Sequence, residues 1–146
     1  MFFKKEKIKR SQLDQLSRTM SVIPMSELML MMGELGPGYY SANNFMELAS
    51  MLSNHVMDSS YVEAVYYHFP DGTYGIYIHP DNTDFRGHVG GNEDSSGQYS
   101  IYGKYFDSWG HTHIYNSMPT DPQDYSTKNK IGLPTSIYYQ GIFYGF

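Results

Sequence analysis

The chain has 146 residues, a length that accommodates one domain with its own hydrophobic core. Its net charge of −5 argues against a general affinity for nucleic acid, because such affinity depends on Lys and Arg side chains that neutralise phosphates. With no cysteine, the chain has no disulfide and no thiolate metal ligand, so any metal ion must be held by nitrogen and oxygen atoms.

The first 40 residues are predicted to form an N-terminal helical extension. Residues 11–20 carry apolar side chains at helical spacing, and Pro24 separates them from a second apolar segment, residues 27–32. That segment is too short to span a membrane, and the basic run of residues 4–10 lacks the apolar stretch that a secretory signal needs. We expect no membrane span, and an extension that packs on the following domain or joins it to a larger parent protein.

A longer helix is predicted from Ser41 to about Met57. Its apolar side chains repeat every three or four residues, which favours packing on a sheet. They are Phe45, Leu48, Ala49, Leu52 and Val56. His55 lies beside this stripe, and we interpret it as incidental to function.

Two strands joined by a turn are predicted next. Residues 61–69 and 73–79 are rich in aromatic and β-branched side chains, and the Pro-Asp-Gly sequence of residues 70–72 is typical of a tight turn. Alternation in the first strand puts Glu63 on the same face as Val65. A carboxylate in a buried strand costs free energy unless it is paired, hydrogen-bonded or used, so Glu63 is a candidate functional residue.

The remainder of the chain alternates between loops and strands. Residues 80–97 are polar and glycine-rich, which predicts a long irregular loop of the kind that forms lids and binding loops. Residues 98–105 and 106–113 return to strand character, and residues 136–146 predict a hairpin around a Gln-Gly turn. The order of elements predicts an α+β domain over residues 41–146, with a mixed, mostly antiparallel sheet and flanking helices.

The most informative pattern is a pair of histidines two residues apart. Alternation along a strand puts His111 and His113 on one face, where both imidazoles can reach one ion. The sequence that follows predicts a helix start, with Asp121 as N-cap, Pro122 at the first helical position and Asp124 in the first turn. A carboxylate held there supplies a third protein ligand, the number that catalytic zinc keeps when a fourth position is left for water.

Other ligand sets stay open at this point. His79 and His88 flank the long loop and could substitute as ligands, although surface positions are favoured for both. A cupin-type site would require a Glu shortly after the histidine pair and a further His downstream, and neither residue type follows His113.

The spacing of the histidines and the aspartate resembles the zinc motif of the JAB/MPN metallopeptidases, also called JAMM proteins. The family pattern is an upstream Glu, then His-x-His, seven residues, Ser, two residues and Asp. Here His111, His113 and Asp124 fall at the family spacing, whereas Asp121 stands in the place of the Ser and Ile114 where the family usually has Pro. The resemblance covers residues 41–146 and implies a JAMM-like sandwich of the cytidine-deaminase-like type.

The resemblance also implies a role for each site residue. His111, His113 and Asp124 would bind Zn²⁺, and a water molecule would be the fourth ligand. Glu63 would act as general base in the hydrolysis of a peptide, isopeptide or peptidoglycan-type amide bond.

The catalytic position held by Asp121 departs from the family in a way that bears on activity. An ionised Asp cannot donate a hydrogen bond to the oxyanion of the tetrahedral intermediate, as the family Ser does. Thr120 or Ser117 could supply a hydroxyl instead. The alternative function is therefore a catalytically weak or inactive JAMM-like module for binding or scaffolding.

A narrower resemblance is to the JAB-like domains at the C-termini of bacterial RHS-type polymorphic toxins. It rests on Glu63, the Tyr66-Tyr67 pair, residues 70–74, the late His-x-His and a closing strand that begins at Leu133-Pro134. It implies a soluble bacterial effector or toxin module, delivered or secreted as part of a larger protein. An immunity protein or the parent protein would bind through the N-terminal helices, and the compartment is left open.

Overall fold

A computed structural model describes residues 35–57, 61–84, 87–119 and 122–146 of the chain. Within these ranges it contains nine strands and two helices, so the predicted α+β class is confirmed. The predicted helices in residues 11–20 and 27–32 lie outside the described residues. No helix in the described part of the chain is long and apolar enough to cross a membrane.

The elements form one large sheet, one small sheet and two helices. The strands are β1 (Gly38–Ala42), β2 (Val65–His68), β3 (Tyr74–Ile78), β4 (Asn92–Glu93), β5 (Tyr99–Ile101), β6 (Lys104–Tyr105), β7 (Ser108–Thr112), β8 (Thr135–Tyr139) and β9 (Ile142–Gly145), and the helices are α1 (Phe45–Val56) and α2 (Pro122–Ile131). The large sheet has the order β1-β3-β2-β7-β8-β9, and the small sheet has the order β4-β5-β6. Among the described strands only β7 and β8 pair in parallel, so the prediction of a mixed, mostly antiparallel sheet is confirmed.

The start of α1 corrects the sequence prediction, which began this helix at Ser41. The helix begins at Phe45, because Asn44 caps it: the Asn44 side chain accepts a hydrogen bond from the Glu47 backbone, and Glu47 accepts one from the Asn43 backbone at 2.7 Å. The preceding aromatic residues form β1 instead, antiparallel to β3. Strand β1 thus begins at Gly38, inside the residues predicted as the N-terminal extension.

The two faces of the large sheet are covered by different elements. Helix α1 covers one face, where Leu48 and Leu52 of the predicted stripe are fully buried. Phe45, at the start of the same stripe, is half exposed. The small sheet and the end of α2 cover the other face, around Tyr67 and Trp109. The side chains of each strand alternate between these two cores, as the period of two requires.

The predicted long loop and the strand after it are corrected in detail. Residues 80–97 include β4, which pairs with β5, and a turn at Tyr102-Gly103 divides the predicted strand 98–105 into β5 and β6. Both turn residues have positive φ, a geometry that fits tight hairpins. The predicted C-terminal hairpin is confirmed, with its turn at Gln140-Gly141 between β8 and β9.

Candidate metal centre

Strand β7 carries His111, and His113 follows its last residue, Thr112, beside the core around Tyr67 and Trp109. Its parallel pairing with β8 continues through His111, and the His113 backbone N–H donates to the Tyr138 carbonyl at 2.9 Å. On the other side, the Tyr61 hydroxyl donates to the His113 carbonyl at 3.0 Å. The backbone at the end of β7 is therefore held from both sides.

Helix α2 brings the aspartate to the same place. The helix begins at Pro122 as predicted, and Asp124 lies in its first turn. The Asp124 Oδ1 atom is 3.3 Å from His111 Nε2, its Oδ2 atom is 3.6 Å from His113 Nε2, and the two Nε2 atoms are 2.9 Å apart. One ligand atom from each residue lies within 4.8 Å of the others, so the three predicted ligands form a group that could hold a metal ion.

The protonation of His113 suits metal binding. Its Nδ1 atom lies 3.2 Å from the Asn116 carbonyl, and a hydrogen bond donated there leaves the Nε2 lone pair directed at the other two ligands. Burial lowers the pKa of His113, the neighbouring His111 lowers it further, and Asp124 partly opposes both effects. The His113 imidazole is thus neutral at neutral pH, the form that binds a metal ion.

The Asp124 carboxylate is left short of hydrogen-bond donors. Its Oδ2 atom is buried and has no hydrogen-bond partner among the described residues. A buried carboxylate oxygen without a donor costs free energy unless a cation lies next to it. The donor set and this unsatisfied oxygen therefore fit a metal ion.

Glu63 is buried as expected, but it lies before β2 and not within a strand. Its backbone N–H donates to the Thr83 carbonyl and its carbonyl accepts from the Asn82 amide, both at 2.8 Å, so the loop after β3 replaces a strand partner. The register of β2 with β7 ends with Val65 opposite His111, and beyond that pair the Ala64 backbone N–H donates to the Thr112 hydroxyl at 2.9 Å. Glu63 is not a member of the three-residue metal group.

The remaining predicted site residues are not brought into this group. Asp121 and Thr120 lie outside the described residues, and Ser117 is partly buried in the connection between β7 and α2. The His79 and His88 rings stack on each other with centroids 4.5 Å apart, and neither joins the metal group.

His55 is a structural residue. It is fully buried, its Nδ1 atom accepts from the Leu35 backbone at 3.1 Å, and its Nε2 atom lies 2.8 Å from the Val62 carbonyl. It ties the segment before β1 to the segment before β2, which is a role in the fold, and it is not a member of the group that could hold a metal ion.

Aromatic side chains that were not predicted as site residues surround the histidines. The Trp109 ring stacks beside His111 with centroids 6.1 Å apart, and the Phe146 ring meets His111 edge-on at 6.4 Å. Alternation along β7 could have predicted that Trp109 lies beside His111, because the two residues are two positions apart and share one face of the strand. Nothing in the local sequence of Phe146 indicates its position, because that position depends on the pairing of β9 with β8 and of β8 with β7.

Comparisons with known proteins identified no related protein. A scan against models of protein families, a search of curated proteins and a search of solved structures each found no match to this chain.

Proposed function

We propose that this protein is a zinc-dependent metallopeptidase or isopeptidase of the JAMM type, which hydrolyses an amide bond and serves as a bacterial effector or toxin module. The observation that carries the proposal is the meeting of His111 at the end of β7, His113 just after that strand and Asp124 in α2. The JAMM resemblance had named these three residues from their spacing alone. Their convergence on one point is the first requirement of such a site.

The dimensions of the ligand group support zinc. Zinc lies about 2.0–2.2 Å from His nitrogen and carboxylate oxygen, so tetrahedral ligand atoms stand roughly 3.3–3.5 Å apart. The two histidine Nε2 atoms are 2.9 Å apart, and they lie 3.3 and 3.6 Å from the Asp124 oxygens. Small side-chain shifts suffice to seat an ion with its fourth position open.

Each of the four site residues has a defined part in the proposed reaction. His111, His113 and Asp124 would hold the zinc ion, which when bound lowers the pKa of a water molecule toward about 7. Glu63 accepts a proton from the attacking water and returns it to the leaving amine. Its hydrogen bonds to Asn82 and Thr83 hold the backbone that carries this side chain.

The order of elements gives the proposal a second support. Helix α1 precedes the Glu63 segment, and α2 follows the histidine strand and carries the aspartate. The JAMM resemblance implies the same order around a mixed sheet. A JAMM-like sandwich is accordingly the finer fold that we propose within the observed α+β class.

A catalytically weak binding module is the second candidate, favoured by the replacement of the family Ser by Asp121. Loss of one oxyanion donor typically lowers the rate by about 10²–10³. A hydroxyl from Ser117 or Thr120 would limit that loss. Full retention of the metal group, in contrast, favours the enzyme.

Metal analysis combined with hydrolysis assays tests the proposal. We expect zinc-loaded protein to cleave members of a library of linear and isopeptide-linked peptides, with products identified by mass spectrometry. Glu63→Gln should abolish cleavage and retain zinc, His111→Ala should lose both, and the exposed control Glu93→Gln should keep both. Cleavage that survives Glu63→Gln would refute its role, and zinc binding without cleavage of amide or isopeptide bonds by the wild type would favour the binding module.

A further inference from the structure

We propose that Lys128 binds the free terminal carboxylate of the substrate, so that the site acts on the amide bond next to a peptide's C-terminus. This inference rests on the proposed function. It names the substrate class, a peptide with an unblocked terminal carboxylate and an apolar last side chain.

Lys128 lies one helical turn beyond a metal ligand. Asp124 and Lys128 are four residues apart in α2 and so occupy the same face of the helix. The Lys128 ammonium is 5.5 Å from the centre of the Phe146 ring, and that ring meets the His111 imidazole at 6.4 Å. One aromatic ring therefore separates the positive charge from the metal group.

The charge of Lys128 is available to a ligand. Lys104, Lys128 and Lys130 are the lysines of the described residues, which contain no arginine. Lys104 pairs with Asp71 at 2.9 Å, whereas no described carboxylate lies within ion-pair distance of Lys128. In a chain of net charge −5, a partly buried cation beside the site attracts an anion to that side.

The surface next to this cation is apolar. The rings of Tyr125 and Phe146 meet edge to face with centroids 6.0 Å apart, and Tyr125 is half exposed. A terminal residue can lay its side chain on these rings while its carboxylate reaches Lys128. We place the amide bond before that residue against the metal group, because the centre of the Phe146 ring is 5.5 Å from the ammonium and 6.4 Å from the His111 ring.

A pair of small probes isolates the charge. N-acetylphenylalanine and its amide differ only in the terminal carboxylate, and nuclear magnetic resonance titration of metal-free protein follows the signals of Phe146 and Tyr125. We expect the acid to bind at least about tenfold more tightly than the amide, as a charge-assisted hydrogen bond provides. Metal-free protein is used so that direct ligation of zinc by the probe does not contribute.

Two lysines of the same helix provide the matched variants. Lys128→Gln should remove the preference for the acid, whereas Lys130→Gln, two residues along and exposed, should keep it. Circular dichroism checks that both variants are folded. Equal binding of acid and amide to the wild type, or a preference that survives Lys128→Gln, overturns the inference.

A further probe distinguishes a terminal carboxylate from an acidic side chain. N-acetylaspartic acid α-amide carries its charge only on the side chain, and we expect it to bind more weakly than N-acetylphenylalanine. Equal or tighter binding of the aspartate probe overturns the assignment to a peptide terminus.

Kinetics separate this inference from the proposed function. With active protein, Lys128→Gln should raise KM about tenfold or more for peptides with a free terminus and leave kcat nearly unchanged, with no effect on amidated peptides. Hydrolysis that ignores the terminus would overturn the Lys128 assignment and leave the metallopeptidase intact. A chain that binds no zinc would refute the metallopeptidase, while the metal-free titration would still decide whether Lys128 binds a carboxylate.

Discussion

Asp94 and Asp124 show how differently two aspartates of one domain can be surrounded. Asp94 is in the hairpin between β4 and β5, and its carboxylate accepts from the Ser96 backbone and hydroxyl, the Gln98 backbone and the Tyr105 hydroxyl. These donors, the Ser96 hydroxyl first, lower the pKa of Asp94 to about 2. The Oδ2 atom of Asp124, in contrast, is buried and has no donor among the described residues.

The contrast separates a structural carboxylate from a candidate metal ligand. The Asp94 carboxylate completes a turn with donors from its own hairpin and from the neighbouring strand β6, so the fold itself satisfies it. Asp124 faces two imidazoles, of which His113 turns a lone pair toward it. A carboxylate in that setting is satisfied best by a cation, and this is the physical basis of the proposed zinc site.

The largest expected effect is on zinc affinity. Asp124→Asn should weaken zinc binding by more than about 100-fold, since even residues that only orient a ligand typically contribute 10- to 100-fold. Asp94→Asn removes the same charge elsewhere and should leave the affinity unchanged. Competition titration with a chelator of known affinity measures both, and equal affinities of the two variants would contradict the assignment of Asp124.

His55 extends the comparison of structural residues and proposed zinc ligands from aspartates to histidines. His55→Ala leaves the Leu35 N–H and the Val62 carbonyl without their buried partner, and we expect the free energy of unfolding to fall by about 2–4 kcal/mol. Zinc affinity of the folded protein should not change. Urea unfolding gives the first quantity and chelator competition the second, and His55→Gln serves as a milder variant if the alanine does not fold. An altered zinc affinity in a folded variant would show that His55 contributes to the centre.

The smallest expected effect concerns Asp94 and pH. Its folded-state pKa of about 2 lies below the ordinary value of 3.8, so the carboxylate stabilises the fold above about pH 4, and this contribution is lost as the pH falls to about 2. The difference in unfolding free energy between wild type and Asp94→Asn should therefore shrink across that window. Urea unfolding at a series of pH values measures it, and a difference that does not vary with pH would rule out this carboxylate as its source.

The metal group was predictable because its determinants are local. Strand alternation places His111 and His113 on one face, and the Pro122 helix start carries Asp124 into the first turn. The missed features depend on distant pairing: β1 forms because β3 offers an edge, and Phe146 reaches His111 through two successive strand pairings. Glu63 was correctly expected to be buried, but its backbone partners, Asn82 and Thr83, come from a loop whose path the sequence does not indicate.

The most direct test of the zinc centre is X-ray absorption at the zinc edge combined with metal analysis of the purified protein. The account predicts one zinc ion per chain, with two imidazole nitrogens and a carboxylate oxygen at about 2.0–2.2 Å. Substitution of both His111 and His113 by Ala should remove the ion. A wild-type protein that retains no zinc, or zinc that persists with unchanged ligands after both histidines are replaced, would contradict the proposed site.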